Sequence, residues 1–270
     1  METAASICIR IGYIQFCPVF GDVDRNLHSI VTELERIEAD IVVLPELSFT
    51  GYGFSSRKEL QGLAENLEDS AALDVLVSLC RRKKMNVVTG FAEKSGDCCY
   101  NSSVLLSPGG ISGLYRKLHL FDREKLYFDP GDIPPGVFNA GEVRVGMMVC
   151  FDWLFPEMAR TLALRGADII CHPANLVLDL CQGAMLTRCT ENMVYAITAN
   201  RTGSEERPFG TLEFTGGSQV VAPGGSLLHR GPVEEDEVFV TTIDASRARD
   251  KCLTGRNHAI DDRRPEFYRW

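Results

Sequence analysis

Long hydrophobic runs are missing from this 270-residue sequence. No apolar stretch approaches the roughly 20 residues that a membrane-spanning helix requires. The apolar segment near the start, Ile7 to Phe16, is broken by Arg10 and Gly12, and no basic segment precedes it. We therefore expect no secretory signal and no membrane partner.

Positive charge is also scarce. Lysine and arginine number 28 against 37 aspartate and glutamate residues, which gives a net charge of −9 and a pI near 5.1. An acidic surface repels phosphate groups and anionic headgroups, so nucleic acid is not an expected partner.

The ten cysteines lack the spacing of a metal or disulfide framework. No CxxC pair and no Cys/His ligand pattern occurs, which favours reduced thiols and a cytoplasmic protein. We expect no metal and no organic cofactor. Proline-rich and serine-rich linkers are absent too, so residues 1–270 are interpreted as a single domain.

What the sequence does contain is an alternation of strand and helix patterns. A helix-covered sheet, and hence an α/β fold, follows from this alternation. The predicted elements of the first part are a strand at Ile7–Gln15, a helix at Asp24–Glu38, a strand at Ile41–Leu44, a helix at Ala71–Lys83 and a strand at Asn86–Phe91.

Two similar hairpins indicate an internal duplication. Val104–Ile111 and Val220–Leu227 both place Pro-Gly-Gly between apolar strands, a tight-turn pattern. Two related halves predict two stacked sheets with helices outside, a four-layer α-β-β-α sandwich with internal pseudo-symmetry. A helix at Gln182–Tyr195 is predicted for the second half.

A cysteine ends one of the predicted strands. The run Val143–Cys150 reads as a strand, and Phe151–Arg160 reads as a helix that follows at once. The carboxyl ends of strands are where ligands and catalytic groups collect in open α/β sheets. A free cysteine taken alone more often packs as a small hydrophobe.

Two other strand ends carry the groups that a thiol nucleophile needs. Glu46 follows the strand that starts at Ile41, and Lys117 ends the return strand of the first hairpin. Glutamate can accept the thiol proton, and lysine can stabilise developing negative charge. Each would be an ordinary surface residue on its own; their occurrence together with Cys150 favours catalysis.

Three segments resemble the signature blocks of the nitrilase superfamily of carbon–nitrogen hydrolases. They are Leu44–Tyr52, Tyr115–Phe121 and Val149–Trp153, and their order and spacing also fit. Similarity extends over nearly the whole chain, through Tyr127–Gly131, His172–Asn175, Glu191–Asn192, Ala199–Arg201 and Asp262–Glu266.

The resemblance implies the same layered fold and a Glu46–Lys117–Cys150 triad. Cys150 would attack, Glu46 would act as the base, and Lys117 would stabilise the oxyanion with a backbone N–H, that of Phe151. Glu124 matches a second glutamate that many members carry, and we expect it to position the substrate.

Substrate contacts are expected from residues near these strand ends, namely Tyr52, Phe151, Trp153 and Asn175. Asp152 and His119 are interpreted as residues that orient the loop rather than react.

The bond that is cleaved is predicted from the residues after the nucleophile. Nitrilases commonly have Trp-Glu there, whereas Phe151-Asp152 is of the amidase and carbamoylase type. The absence of an adjacent arginine disfavours N-carbamoyl amino acids, although Arg188 or Arg201 could serve from elsewhere. A small aliphatic amide, converted to carboxylic acid and ammonia through a thioester, is the leading prediction. A nitrilase, an N-carbamoyl amine hydrolase and a catalytically idle binding module are the alternatives.

The C-terminal segment 257–270 is rich in charge and closes on three aromatic residues. Aromatics and arginine are enriched where protein surfaces meet, and the family's matching segment lies across a two-fold interface. We expect a homodimer or higher homo-oligomer that Asp262–Trp270 helps to stabilise, against the alternative of a solvated, frayed terminus.

Overall fold

Two six-stranded sheets stack between helices in the computed structural model of the chain, which describes residues 6–268. The strands are β1 Cys8–Gln15, β2 Ile41–Val43, β3 Asn86–Ser95, β4 Cys98–Ser107, β5 Gly110–Arg116, β6 Val137–Ala140, β7 Val143–Met147, β8 Ile169–Pro173, β9 Tyr195–Ala199, β10 Ser204–Arg207, β11 Gly210–Glu213, β12 Gln219–Val221, β13 Leu227–Arg230, β14 Glu237–Asp244, β15 Cys252–Thr254 and β16 Asn257–His258. The helices are α1 Val23–Arg36, α2 Arg57–Leu63, α3 Ala71–Lys83, α4 Pro156–Leu164 and α5 Cys181–Asn192.

The two sheets repeat one plan, which confirms the predicted sandwich and its pseudo-symmetry. The first has the order β14-β1-β2-β3-β4-β5, and the second has the order β6-β7-β8-β9-β12-β13. In each, three parallel strands lie between an antiparallel edge strand and an antiparallel hairpin. The two hairpins are those with Pro-Gly-Gly turns. Strand β2 belongs to the first sheet and β7 to the second, so the groups that follow these two strands come from different layers of the stack.

The helices cover the outer faces with apolar stripes. In α1, Ile30 and Leu34 are fully buried, and each contributes about 1.5–3 kcal/mol by leaving water. Helix α3 has the predicted bounds because Ser70 caps its first turn, accepting from Leu73 N, and Lys84 ends it in the left-handed region.

Several predicted boundaries are wrong. Helix α1 ends at Arg36 rather than Glu38, and β3 continues past Phe91 to Ser95. The helix predicted to reach Tyr195 ends at Asn192, because Met193 adopts φ +50° and Tyr195 joins β9 in the buried centre of the second sheet. The strand predicted to reach Cys150 ends at Met147. Cys150 instead begins a 3-10 helix that ends at Leu154, and α4 starts at Pro156, where proline is well placed as a first helical residue.

No helix within residues 6–268 is both long and apolar enough to span a bilayer.

Candidate active site

The three strand-end residues lie together between the two sheets. Glu46 follows β2, Lys117 follows β5 and Cys150 follows β7, and none exposes more than 5% of its surface. Lys117 Nζ donates to Glu46 Oε1 at 2.7 Å and to Glu124 Oε1 at 2.7 Å. One buried ammonium thus joins two buried carboxylates.

The backbone of Glu46 is held by close packing against the neighbouring strand. A Cβ on Gly90 would lie 2.3 Å from Glu46 Cα, so only glycine permits this approach. Asn101 Nδ2 donates to Glu46 Oε1 at 2.7 Å, and Asn175 Nδ2 donates to the backbone oxygen of Glu46 at 2.8 Å. Glu46 Oε2 is buried and has no hydrogen-bond partner among residues 6–268. That oxygen is available to accept a proton.

Cys150 stands on a strained turn. Its φ is +41°, a region that residues with a Cβ rarely adopt and that costs about 1–3 kcal/mol. His172 Nε2 lies 2.9 Å from the carbonyl oxygen of Cys150, and its Nδ1 lies 3.1 Å from Thr198 Oγ1. Burial lowers the pKa of His172 to about 4. The neutral imidazole follows from this low pKa, and its Nε2–H donates to the carbonyl oxygen of Cys150.

The environment of Cys150 favours its neutral thiol form, and burial is the main cause. Burial and the carboxylate of Glu46 raise the pKa of Cys150 well above its ordinary value, and Lys117 acts in the opposite direction. Burial alone would lower the pKa of Lys117, but Glu124 and Glu46 raise it well above the ordinary value. The site thus favours a charged lysine beside a neutral thiol.

Glu124 is bound to the lysine rather than exposed in a loop. Burial raises the pKa of its carboxyl to about 7, with Lys117 opposing and Glu46 adding to the rise. Tyr52 Oη donates to the same oxygen, Oε1, at 2.7 Å, and burial followed by Glu124 raises the pKa of Tyr52 so that it stays a donor. The geometry connects Tyr52 to the triad through Glu124.

A small pocket opens at the thiol, with about 240 Å³ of empty space including the part open to solvent. Phe151, Trp153 and Asn175, three of the four residues predicted to contact the substrate, line this pocket. Tyr52, the fourth, does not line it and donates to Glu124 instead. Its lining residues are uncharged: Phe121, Cys150, Phe151, Trp153, Asn175, Leu176, Val177 and Leu178.

The two arginines considered for a substrate carboxylate have other partners. Arg201 is fully buried, pairs with Glu205 and stacks 3.9 Å over the ring of Phe214. Arg188 donates to the backbone oxygen of Trp153 at 3.2 Å and pairs with Glu191 at 3.0 Å. Neither lines the pocket.

Two contacts in the site were not predicted from the sequence: that of Asn101 with Glu46, and that of His172 with the carbonyl oxygen of Cys150. Asn101 lies within β4, where Asn101-Ser102-Ser103 reads as a glycosylation triplet, yet all three residues are buried. Three polar residues inside an otherwise apolar strand were the available signal, because a buried amide requires a partner.

The chain is similar to proteins of known family. Residues 10–251 match the family model described as carbon-nitrogen hydrolase. A protein named nitrilase from Pyrococcus abyssi is 42% identical over 263 residues, which cover 96% of this chain and 99% of the relative.

Solved structures of the same fold also match. A carbon-nitrogen hydrolase from Helicobacter pylori G27 superposes with a TM-score of 0.85 at 26% identity, covering 97% of each chain. A glutamate-to-glutamine mutant of an amidase from Nesterenkonia sp. AN1 has a TM-score of 0.79 at 27% identity, covering 96% of this chain and 95% of that one. That structure carries the acetamide moiety of fluoroacetamide, covalently added at the active-site cysteine.

Proposed function

Because the chain belongs to the carbon–nitrogen hydrolase family, as its resemblance to the nitrilase superfamily predicted, we propose that it hydrolyses small neutral amides through a thioester on Cys150. The products are a carboxylic acid and ammonia. The observation that carries this proposal is the arrangement around Lys117, whose ammonium binds Glu46 Oε1 and leaves Glu46 Oε2 free.

The first step is attack by Cys150 Sγ on the amide carbon. Since the thiol is neutral beforehand, Glu46 Oε2 takes its proton as the carbon–sulfur bond forms. The carbonyl π electrons move to oxygen, which becomes an oxyanion. Lys117 and the N–H of Phe151 stabilise this charge, because the first N–H groups of a helix have no partner within it.

Collapse of the tetrahedral intermediate restores the carbonyl and breaks the carbon–nitrogen bond. Protonated Glu46 gives its proton to the leaving nitrogen, and ammonia departs. A water then attacks the thioester, and Glu46 takes one of its protons. The carbon–sulfur bond breaks, Glu46 returns this proton to Cys150 Sγ, and the carboxylic acid departs. Glu124 holds Lys117 from the other side and positions the substrate amide.

The size and neutrality of the pocket support a small, uncharged acyl group. Phe121, Phe151 and Trp153 offer apolar surface, and an ionic acyl group would lose hydration there without gaining a countercharge. The neutral pocket and the engagement of Arg188 and Arg201 elsewhere disfavour N-carbamoyl amino acids.

A nitrile is the second candidate, supported by the name of the Pyrococcus abyssi relative. Addition of Cys150 to a nitrile gives a thioimidate, and two waters are consumed before acid and ammonia are released.

The substrate class is tested by ammonia release from matched amides and nitriles with the same acyl chain, together with N-carbamoyl amines. We expect kcat/KM to be highest for short neutral amides and to fall when a carboxylate is added to the acyl chain. Faster release from the nitrile series would replace the amidase proposal by the nitrilase. No release from any compound, together with unselective labelling of Cys150 by a thiol reagent, would support an idle binding module.

We also propose that the chain forms a homodimer through its C-terminal segment. Phe267 and Tyr268 expose 70% and 55% of their surface, and Leu253 in β15 exposes 59%. Arg264 stacks on Phe267 at 4.6 Å within the same segment. Arg269 and Trp270, also assigned to the interface, lie outside the described residues. A self-complementary two-fold contact would cover these rings in both copies.

Light scattering on the full chain and on a chain that ends at Ile260 checks this assignment. We expect the full chain to be a dimer and the shorter chain to dissociate at concentrations where the parent stays associated. A monomeric full chain, or a shortened chain as dimeric and stable as the parent, would refute the role of the segment.

A further inference from the structure

Asp152 is a fully buried carboxylate that lies beside the triad without belonging to it. Its Oδ2 accepts hydrogen bonds from Val149 N at 2.8 Å and Tyr115 Oη at 2.7 Å. Its Oδ1 lies 2.7 Å from His119 Nδ1 and accepts from His119 N at 3.3 Å.

These partners flank two of the triad residues. Val149 immediately precedes Cys150, so its hydrogen bond to Asp152 holds the backbone next to the residue with positive φ. Tyr115 and His119 each lie two residues from Lys117, one on either side. A single side chain therefore bonds to the segment that carries the nucleophile and to both flanks of the lysine.

The two segments have no shared strand pairing that would fix their spacing. Lys117 follows β5, which is the edge strand of the first sheet, and Cys150 follows β7 in the second. Two backbone hydrogen bonds hold the lysine segment in place. Lys117 N donates to Asn101 O at 2.8 Å, and Gly131 N donates to Lys117 O at 2.9 Å. The position of one segment relative to the other, across the stack, depends on side-chain contacts.

The chemistry of Asp152 matches this task. A carboxylate offers two oxygens that only accept, and all of its contacts here come from donors. An amide would turn an N–H toward one of those donors. Burying a charged group is costly unless hydrogen bonds compensate. The four hydrogen bonds to Asp152 supply this compensation, and they explain why a carboxylate is found at this position.

We propose that Asp152 is a positioning residue that sets the spacing between the Cys150 thiol and the Lys117 ammonium for attack. This inference rests on the proposed function, because the spacing matters only if the two groups act on one substrate. His119 and Tyr115 transmit the constraint to the lysine segment, and Val149 transmits it to the nucleophile.

Asp152→Asn tests the proposal with Asp168→Asn as a matched control. Asp168 is also buried and accepts from the backbone N of Arg144 on the same sheet, at 2.9 Å, but it precedes β8 at the end remote from the triad. Displacements of about 1 Å can cost on the order of 10²-fold in rate. We expect Asp152→Asn to lower kcat by about that factor with little change in KM, and to slow alkylation of Cys150 by iodoacetamide. Asp168→Asn should lower the unfolding temperature while kcat is retained.

Two variants of His119 separate the hydrogen bond from ring packing. The imidazole stacks on Phe155 at 3.6 Å. His119→Phe keeps a ring on Phe155 but has no donor, whereas His119→Asn places an amide N–H near the position of Nδ1. If Asp152 acts through its hydrogen bond with His119 Nδ1, His119→Asn should retain a higher kcat than His119→Phe. The reverse order would mean that His119 contributes only by packing on Phe155.

Cys150→Ala is measured alongside to keep the two proposals apart. An active Cys150→Ala variant would refute the thioester mechanism and, with it, the positioning role. If Cys150→Ala is inactive but Asp152→Asn keeps a kcat near that of the parent, the positioning role alone is overturned. The same holds if Asp152→Asn and Asp168→Asn lose kcat equally.

Discussion

Cys150→Ala is expected to abolish turnover and leave the fold intact. Removing the nucleophile from a serine hydrolase costs on the order of 10⁶-fold in kcat, and the loss here should reach the background rate. The substitution deletes one sulfur at a site that is 5% exposed, and alanine carries the same Cβ penalty at positive φ as cysteine does. Steady-state ammonia release and thermal unfolding of the two proteins check both parts.

Two further substitutions sharpen this expectation. Cys150→Ser should be nearly inactive too, because a carboxylate base suited to a thiol is poorly matched to a far more basic hydroxyl. Cys150→Gly should be equally inactive yet at least as stable as Cys150→Ala, since glycine adopts φ +41° without a Cβ clash. Activity near that of the parent in Cys150→Ala would exclude this residue as the nucleophile.

The proximity of Glu46, Lys117 and Cys150 could be predicted from the sequence because each residue follows a strand. Glu46 follows the apolar run that starts at Ile41, and Lys117 follows the return strand of the first hairpin. Strand ends are the positions where ligands and catalytic groups collect. Helix α3 was also predicted with its observed bounds, since its cap and its apolar spacing are local features of the chain.

Other features depend on contacts between distant residues and leave little local pattern. Strand β14 pairs with β1 along its whole length, Cys8 opposite Asp244 and Gln15 opposite Glu237, although it is the last strand of the two large sheets. The positive φ of Cys150 occurs together with a tertiary contact, the hydrogen bond from His172 to its carbonyl oxygen. Asn101 is buried where it donates to Glu46, which lies 55 residues away in the sequence. The polar triplet indicates that a partner is needed but does not indicate which residue it is.

Glu46 and Lys117 are expected to act as one unit with Cys150, so their losses should not add. Glu46→Gln keeps the acceptor that Lys117 and Asn101 share, because the amide oxygen can occupy the position of Oε1. It replaces the free Oε2 by an N–H group, which cannot accept the thiol proton. This variant should fold as the parent does and lose the base entirely.

Lys117→Ala removes the oxyanion donor, which typically costs about 10²–10³-fold in rate. It also removes the cation from between Glu46 and Glu124. Breaking a buried ion pair costs about 3–5 kcal/mol of stability, and two neighbouring buried carboxylates without a cation relieve their repulsion by binding a proton. Glu46 then stops being a base. Lys117→Met, which fills more of the space, serves as the second variant if the alanine form unfolds.

The double variant decides whether this coupling exists. If the base functions only beside the ammonium, the double variant Glu46→Gln, Lys117→Ala should be no slower than the slower of the two single variants. The step that both residues support is already lost in each single variant. Rates are compared by single-turnover acylation with one amide, at protein concentrations where thermal unfolding shows each variant to be folded. A loss equal to the product of the two single losses would mean that Glu46 and Lys117 contribute independently, and the shared ammonium would then be a structural contact rather than the link that makes the carboxylate a base.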